Sequence, residues 1–167
     1  MTEVAILAPG PSASAALAET LKGKRLIVVG NAWELAPWAE ALVANDRAWW
    51  AKHPDAMQFQ GAKYSANRVR GVELVANGRP NLNSGTLAMI VAVHHLGATA
   101  IQLHGFDFHG THFFGPYTNG LSNTPQASRN RHMNQMRAWR AANPKVAVTN
   151  CTPGSALTVF PGVGHDQ

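Results

Sequence analysis

The sequence predicts an α/β protein, a layered sandwich built around a mostly parallel central sheet. Short apolar runs alternate along the chain with segments of helical composition. The apolar runs are continuous, which is typical of parallel strands that helices cover on both faces. The chain has 167 residues, of which 46% are hydrophobic and 14% are charged. A chain of this size and composition can bury one core, so we expect a single domain over residues 1–167.

The first half of the chain alternates strands and helices. Residues 4–7 predict a buried strand, because Pro9-Gly10-Pro11 ends the apolar run. Ser12 or Ser14 can cap a helix over residues 13–21, and the next buried strand is predicted at 25–29. The pattern after it predicts a short helix, alone or followed by a strand, at 37–43. A tryptophan-rich helix is expected at 46–53, and weaker strands at 57–60 and 69–75.

The second half opens with a long helix that begins at Asn83-Ser84-Gly85 and continues to Leu96, because Gly97 ends it. Residues 105–127 are rich in Gly, His, Asn, Pro and aromatic residues and are too long for a plain connection. The remaining predicted elements are a strand at 100–103, a basic helix at 129–142, a strand at 146–148 and a turn at 155–160.

Charge and composition limit the classes of partner. The net charge is +5 with the histidines neutral, which favours an anionic partner such as a nucleotide, a sugar phosphate or a nucleic acid, although a solvated basic surface is equally open. The single cysteine, Cys151, excludes a disulfide framework. No window approaches the roughly 20 apolar residues of a membrane span, and Met1-Thr2-Glu3-Val4 lacks the basic region with which a secretory signal begins. We therefore expect a cytoplasmic protein without a membrane segment.

Small and polar residues follow every predicted strand. Ligands of open parallel sheets bind beyond the carboxyl ends of the strands, so this recurrence predicts a cleft. Ser84 is a good helix cap, and Gly85 leaves first-turn amides uncovered at the positive end of the helix. A phosphate or carboxylate site and a plain cap both fit these two residues. The strand ends in question are residues 10–12, 30–31, 45–46, 105–107 and 150–152.

Residues 105–112 carry most of the candidate chemistry. Asp107 directly follows a strand, where it could bind ribose hydroxyls, hold a divalent cation or orient a histidine. His112 is the candidate general base, because imidazole titrates near neutral pH. We interpret His104 as a core residue and predict no metal site from the nearby histidines, since a strand followed by a loop fixes no ligand geometry.

Four short motifs and one asparagine carry a resemblance to a known family. In chain order they are VAILAPGPS (4–12), Asn31, NSG (83–85), GFDF (105–108) and CTPGSAL (151–157). Together they resemble the bacterial lipo-oligosaccharide sialyltransferases and the related flagellin-modifying and 6-hydroxymethylpterin diphosphokinase-like proteins. The resemblance implies a Rossmann-like three-layer sandwich that binds a nucleotide sugar. In the sialyltransferases the donor is a cytidine-monophosphate sugar, and no metal cofactor is required.

The resemblance also assigns site residues. Asn31 would face the donor phosphate or the reaction centre, Ser84 and Gly85 would hold phosphate or ribose, and Asp107 and Phe108 would border the nucleotide. Our own first hypothesis places Asp107 and His112 on the reactive side. The residues expected to bind the nucleotide are Gly10, Ser12, Asn31, Asn83, Ser84, Gly85, Phe108 and Ser155.

One departure keeps three functions open. In the sialyltransferases the general base follows a glycine that resembles Gly115, and that place is taken here by Pro116, which cannot accept a proton. Asp107 and Thr111-His112 resemble the Gly-x-Asp and Thr-His elements of the diphosphokinase-like proteins more closely. A nucleotide-sugar-dependent glycosyltransferase-like enzyme is our first expectation. A Mg²⁺- and ATP-dependent diphosphokinase-like enzyme is the alternative, as is a non-catalytic module that binds nucleotides or nucleic acid.

Overall fold

A computed structural model describes residues 1–163, and in this range the chain forms one seven-stranded sheet in which every pairing is parallel. The order of the strands is β5-β4-β3-β2-β1-β6-β7. Their bounds are β1 Glu3–Leu7, β2 Arg25–Val29, β3 Ala41–Val43, β4 Ala62–Ser65, β5 Glu73–Leu74, β6 Ala100–His104 and β7 Ala147–Asn150.

A helix or a 3-10 turn lies between successive strands, except between β4 and β5, and local side chains fix where three of the helices begin. Ser14, Asp46 and Asn83 accept hydrogen bonds from first-turn amides of α1, α2 and α3 in turn. The helices are α1 Ala15–Thr20, α2 Arg47–Lys52, α3 Ser84–His94 and α4 Gln126–Ala142, with 3-10 turns at Gly30–Glu34 and Pro54–Gln58.

The strands bury apolar side chains on both faces of the sheet. On β1, Ile6 packs into a core with α3 and α4, while Leu7 packs into a second core with α1 and α2. Successive strand residues point to opposite faces, so a continuous apolar run covers both. The predicted α/β, Rossmann-like three-layer sandwich is therefore confirmed, with a sheet that is parallel throughout.

The chain order of the strands reverses at β1. Strands β1 to β5 extend in one direction, and the chain then returns to place β6 on the other side of β1. Ile6 of β1 pairs with Ile27 of β2 and with Leu103 of β6. Crossover helices diverge at such a reversal and leave a crevice at the carboxyl ends of the strands. This geometry places the candidate site beside the ends of β1 and β6.

Several predicted boundaries differ from the observed ones. Residues 57–60 include the end of a 3-10 turn rather than a strand, and the strand follows at β4, whose sequence AKYS lacks an apolar run. The strand expected at 69–75 contracts to β5, and α4 begins three residues before the predicted start. Within residues 1–163, no helix combines the length and apolar content that a membrane crossing needs.

Candidate functional site

Two adjoining cavities open beyond the carboxyl ends of the strands. The first, about 240 Å³, lies at the ends of β1 and β6. The second, about 570 Å³, lies at the ends of β2 and β3. We call the two together the cleft, because they share one wall. That wall consists of Pro9, Val29, Asn83, Ser84, His112, Thr124 and His132.

The loops after β1 and β6 are locked together by Asp107. Its side chain is 3% exposed, and its Oδ1 accepts hydrogen bonds from the Ser12 amide at 3.2 Å and the Ser12 hydroxyl at 2.8 Å. The Gly10 amide donates to the Gly105 carbonyl at 3.0 Å. A Cβ on Gly10 would lie 2.2 Å from Asp107 Oδ1 and 2.3 Å from that carbonyl. The contact therefore requires glycine at position 10. Ser12 lines neither cavity, and its amide and hydroxyl are both bonded to Asp107.

The N-terminus of α3 faces the first cavity. Asn83 Oδ1 accepts from the Thr86 amide at 3.0 Å, and Ser84 Oγ accepts from the Asn45 amide at 2.9 Å. The amides of Ser84 and Gly85 have no acceptor among residues 1–163. Because both residues line the first cavity, their amides can meet an anion at the positive end of the helix. A Cβ on Gly85 would also lie 3.2 Å from Met136 Cε, so glycine allows α4 to pack closely.

His112 is oriented by the loop that carries it. Its Nδ1 lies 3.2 Å from the carbonyl oxygen of Gly115, which can only accept, so Nδ1 carries the proton and Nε2 keeps its lone pair. The imidazole stacks on the Phe114 ring with the ring centroids 4.7 Å apart, and the centroid of the Tyr117 ring is 4.4 Å from that of the imidazole. Burial lowers the pKa of His112 below its usual 6.5; the bond to Gly115 opposes this shift, and the charge of Arg129 adds to it. The residue can therefore act as a base at neutral pH.

His132 is a second histidine on the shared wall, and the sequence analysis missed it. It projects from α4, lines both cavities, and has a pKa lowered by burial and by the charge of Arg131. In the sequence it lies in the middle of a basic helix and follows no strand. Its spacing to the buried Met136 and Trp139, four and seven residues later, could have indicated that it shares their inward face.

Asn31 lies outside the lining of both cavities, and its amide is fully used within the protein. Oδ1 accepts from Trp49 Nε1 at 2.8 Å and from the Tyr117 hydroxyl at 3.1 Å. Nδ2 contacts Glu34 Oε1 and His53 Nε2, each at 3.1 Å. Burial raises the pKa of Tyr117 to about 12, so its hydroxyl keeps the proton that it donates. Asn31 thus fixes Tyr117, which lines the second cavity.

The other predicted residues divide between the cleft and its supports. Phe108 lines the first cavity with a φ of 57°, a left-handed conformation that strains a residue with a side chain. Ser155 lies outside the cleft and donates to the Phe106 carbonyl at 2.5 Å, which ties the loop after β7 to the loop after β6. The predicted residues that line the first cavity are Gly10, Asn83, Ser84, Gly85, Asp107, Phe108 and His112.

Carboxylates are scarce in the cleft. Asp107 is the one carboxylate among the residues that line the first cavity, and Asp46, which caps α2, is the one in the second. Residues 1–163 contain no group of three His, Cys, Asp or Glu side chains placed to hold a metal ion. A Mg²⁺ ion beside Asp107 would therefore take its other ligands from nucleotide phosphates and water, as Mg²⁺ commonly does.

Comparisons with models of protein families, with curated proteins and with solved structures found no match. The sialyltransferase resemblance accordingly stays a prediction from motifs.

Replacing Asn45 with Ala is expected to lower the free energy of unfolding by about 2–4 kcal/mol. Its buried side chain donates to the carbonyls of Arg79 and Leu82 at 2.9 and 2.8 Å and accepts from the Ala66 amide at 2.8 Å. Alanine would leave the Leu82 carbonyl and the Ala66 amide without partners, while the Arg79 carbonyl would keep its bond from the Leu82 amide. Urea unfolding measures the change, with the exposed Asn77→Ala as control. Equal stability of the two variants would contradict the prediction.

Proposed function

We propose that the chain is a nucleotide-sugar-dependent glycosyltransferase-like enzyme that binds its donor in the cleft. One observation carries this proposal. The unpaired amides at the start of α3 lie beside the two histidines on the wall that both cavities share. A donor whose phosphate rests on α3 would have its sugar at this junction, with one cavity for the donor and the other for the acceptor.

The amides of Ser84 and Gly85 are suited to the donor phosphate. They lie at the positive end of an eleven-residue helix, and Arg129 lines the same cavity. A departing phosphate gains negative charge as its bond to the sugar breaks. Fixed amide dipoles and a guanidinium stabilise that charge without reorganisation, which is commonly the largest contribution to catalysis of group transfer.

His112 would receive the proton of the acceptor. In the proposed step the acceptor hydroxyl oxygen bonds to the anomeric carbon, and its proton passes to His112 Nε2. The bond between the anomeric carbon and the phosphate oxygen breaks, and its electron pair leaves with the phosphate. The lowered pKa of His112 keeps the imidazole neutral near pH 7, which is the form a base requires.

A binding screen tests the proposal directly. We expect the purified protein to bind a pyrimidine nucleotide, CMP before UDP, without Mg²⁺ in isothermal titration calorimetry. Arg129→Gln should weaken this binding about 10–100-fold, since a charge-assisted hydrogen bond contributes roughly 1.5–3 kcal/mol. Arg137→Gln on the same helix is the control, because Arg137 is exposed and lines neither cavity.

Two results would overturn the proposal. Binding of ATP that requires Mg²⁺, with GDP, UDP and CMP inactive, would replace it with the diphosphokinase-like alternative. Failure of all four nucleotides to bind would remove nucleotide chemistry from the cleft.

A further inference from the structure

We propose that the acceptor is a single-stranded nucleic acid, held by arginines around the mouth of the cleft. This inference deepens the proposed function and rests on it. We call the set the cationic rim. It comprises Arg47, Arg68, Arg79, Arg129 and Arg131.

Arg47 lines the second cavity, and two more members of the rim flank its lining. Asn67 and Pro80 line this cavity, so Arg68 and Arg79 are each next in sequence to a lining residue. The Asn67 side chain donates to the Asn45 carbonyl at 2.7 Å, and the Asn45 side chain donates to the Arg79 carbonyl at 2.9 Å, which holds both segments against Asn45. All three arginines are exposed to solvent.

The other two members lie at the start of α4, beside the shared wall. Arg129 lines the first cavity, and its charge lowers the pKa of His112. The charge of Arg131 in turn lowers the pKa of His132. Arg129 therefore presents its charge in the first cavity, and Arg131 is an exposed residue that directly precedes His132 of the shared wall.

No rim arginine forms a salt bridge within residues 1–163, where the salt bridges are Lys22–Glu19 and Arg25–Glu40. Two carboxylates, Asp46 and Asp107, line the cleft against the five arginines of the rim. A single donor phosphate at α3 leaves arginines of the rim without a counter-ion, whereas a chain of phosphates can supply one for each. The excess positive charge thus fits a polyanion that spans the cleft.

The aromatic surface favours nucleic acid over other polyanions. Phe114 is 40% exposed although it stacks on His112, so one face of an aromatic pair is presented beside the candidate base. Nucleobases stack on such surfaces with about 1–3 kcal/mol each. A base inside a duplex would have to leave its stack, at a cost of a few kcal/mol, to enter the second cavity, so a single strand is the favoured acceptor.

Fluorescence anisotropy with a labelled strand of roughly 12 thymidines, within the span of known single-strand sites, tests the inference. The titration is done without donor nucleotide, so that Arg129 is available to the strand. If each of the five rim arginines then contacts one phosphate, log K should fall with log salt at a slope of about −3.5. The double variant Arg68→Glu and Arg79→Glu should weaken binding at least 10-fold and flatten the slope by about 1.4. It should retain the donor nucleotide, because neither residue lines a cavity.

Lys24→Glu is the matched control for charge. Lys24 precedes β2 and lies at the amino end of the sheet, opposite the cleft. Equal loss of binding in this variant, or equal affinity for duplex DNA, would overturn the inference. A protein that binds its nucleotide but no oligonucleotide would also overturn it, with the proposed function left intact. Failure to bind any nucleotide would instead remove the proposed function.

Discussion

Replacing His112 with Gln is expected to lower turnover about 10²–10⁴-fold, the usual contribution of a general base. The amide of glutamine cannot accept a proton near neutral pH. Nucleotide affinity should persist, because the donor phosphate is assigned to the amides of α3. Release of free nucleotide from the sugar donor that the binding screen selects measures turnover.

The pH profile separates a base from a merely structural residue. A base acts in its neutral form, so kcat/KM should be flat around pH 7 and fall as the pH drops through the pKa of His112. Burial lowers that pKa, so the fall should lie below pH 6.5. In His112→Gln the acidic limb should vanish. If the acidic limb of the profile persists in His112→Gln and is lost in His132→Gln, His132 and not His112 is the general base.

His94→Gln is the control for the loss of an imidazole. His94 is exposed at the end of α3 and lies outside the lining of both cavities. Its turnover and its thermal unfolding midpoint should match those of the wild type. Wild-type turnover in His112→Gln would remove His112 from the mechanism.

The fold could be predicted where the signal was local. Strands β1, β2 and β6 are continuous apolar runs with a clear end, and each lies within one residue of its predicted bounds. Strand β4 was missed because Ala62 and Lys63 are partly exposed, so its four residues carry no apolar run. Its place in the sheet depends on pairing with β3, a contact that a local pattern does not contain.

The cleft was predicted from where strands end, but the roles of its residues depend on distant contacts. Ser12 and Asp107 are 95 positions apart, and each satisfies the other rather than facing a ligand freely. Asn31 is 86 positions from Tyr117, whose hydroxyl occupies its oxygen. Sequence patterns placed these residues at the correct edge of the sheet. They could not predict which side chains are already hydrogen-bonded to residues that are distant in the sequence and close only in the folded chain.

Replacing Gly10 with Ala is expected to lower the free energy of unfolding by about 2–5 kcal/mol, a value that combines overpacking with lost hydrogen bonds. The added Cβ would overlap Asp107 Oδ1 and the Gly105 carbonyl oxygen, both closer than 2.5 Å to its position. The backbone carbonyl has no rotamer to adopt, so the loops after β1 and β6 must separate. Separation would break the bond between the Gly10 amide and Gly105 and release Asp107 from Ser12.

Ser12→Ala distinguishes this overlap from the loss of one hydrogen bond. It removes the 2.8 Å bond from the hydroxyl to Asp107 and adds no atom, so it should cost about 1 kcal/mol. Urea unfolding of both variants gives the comparison. Gly10→Ala should also weaken nucleotide binding, because Gly10 and Asp107 line the first cavity and would move together. If Gly10→Ala proved as stable as Ser12→Ala and still bound nucleotide, the two loops would not be the rigid wall on which this site depends.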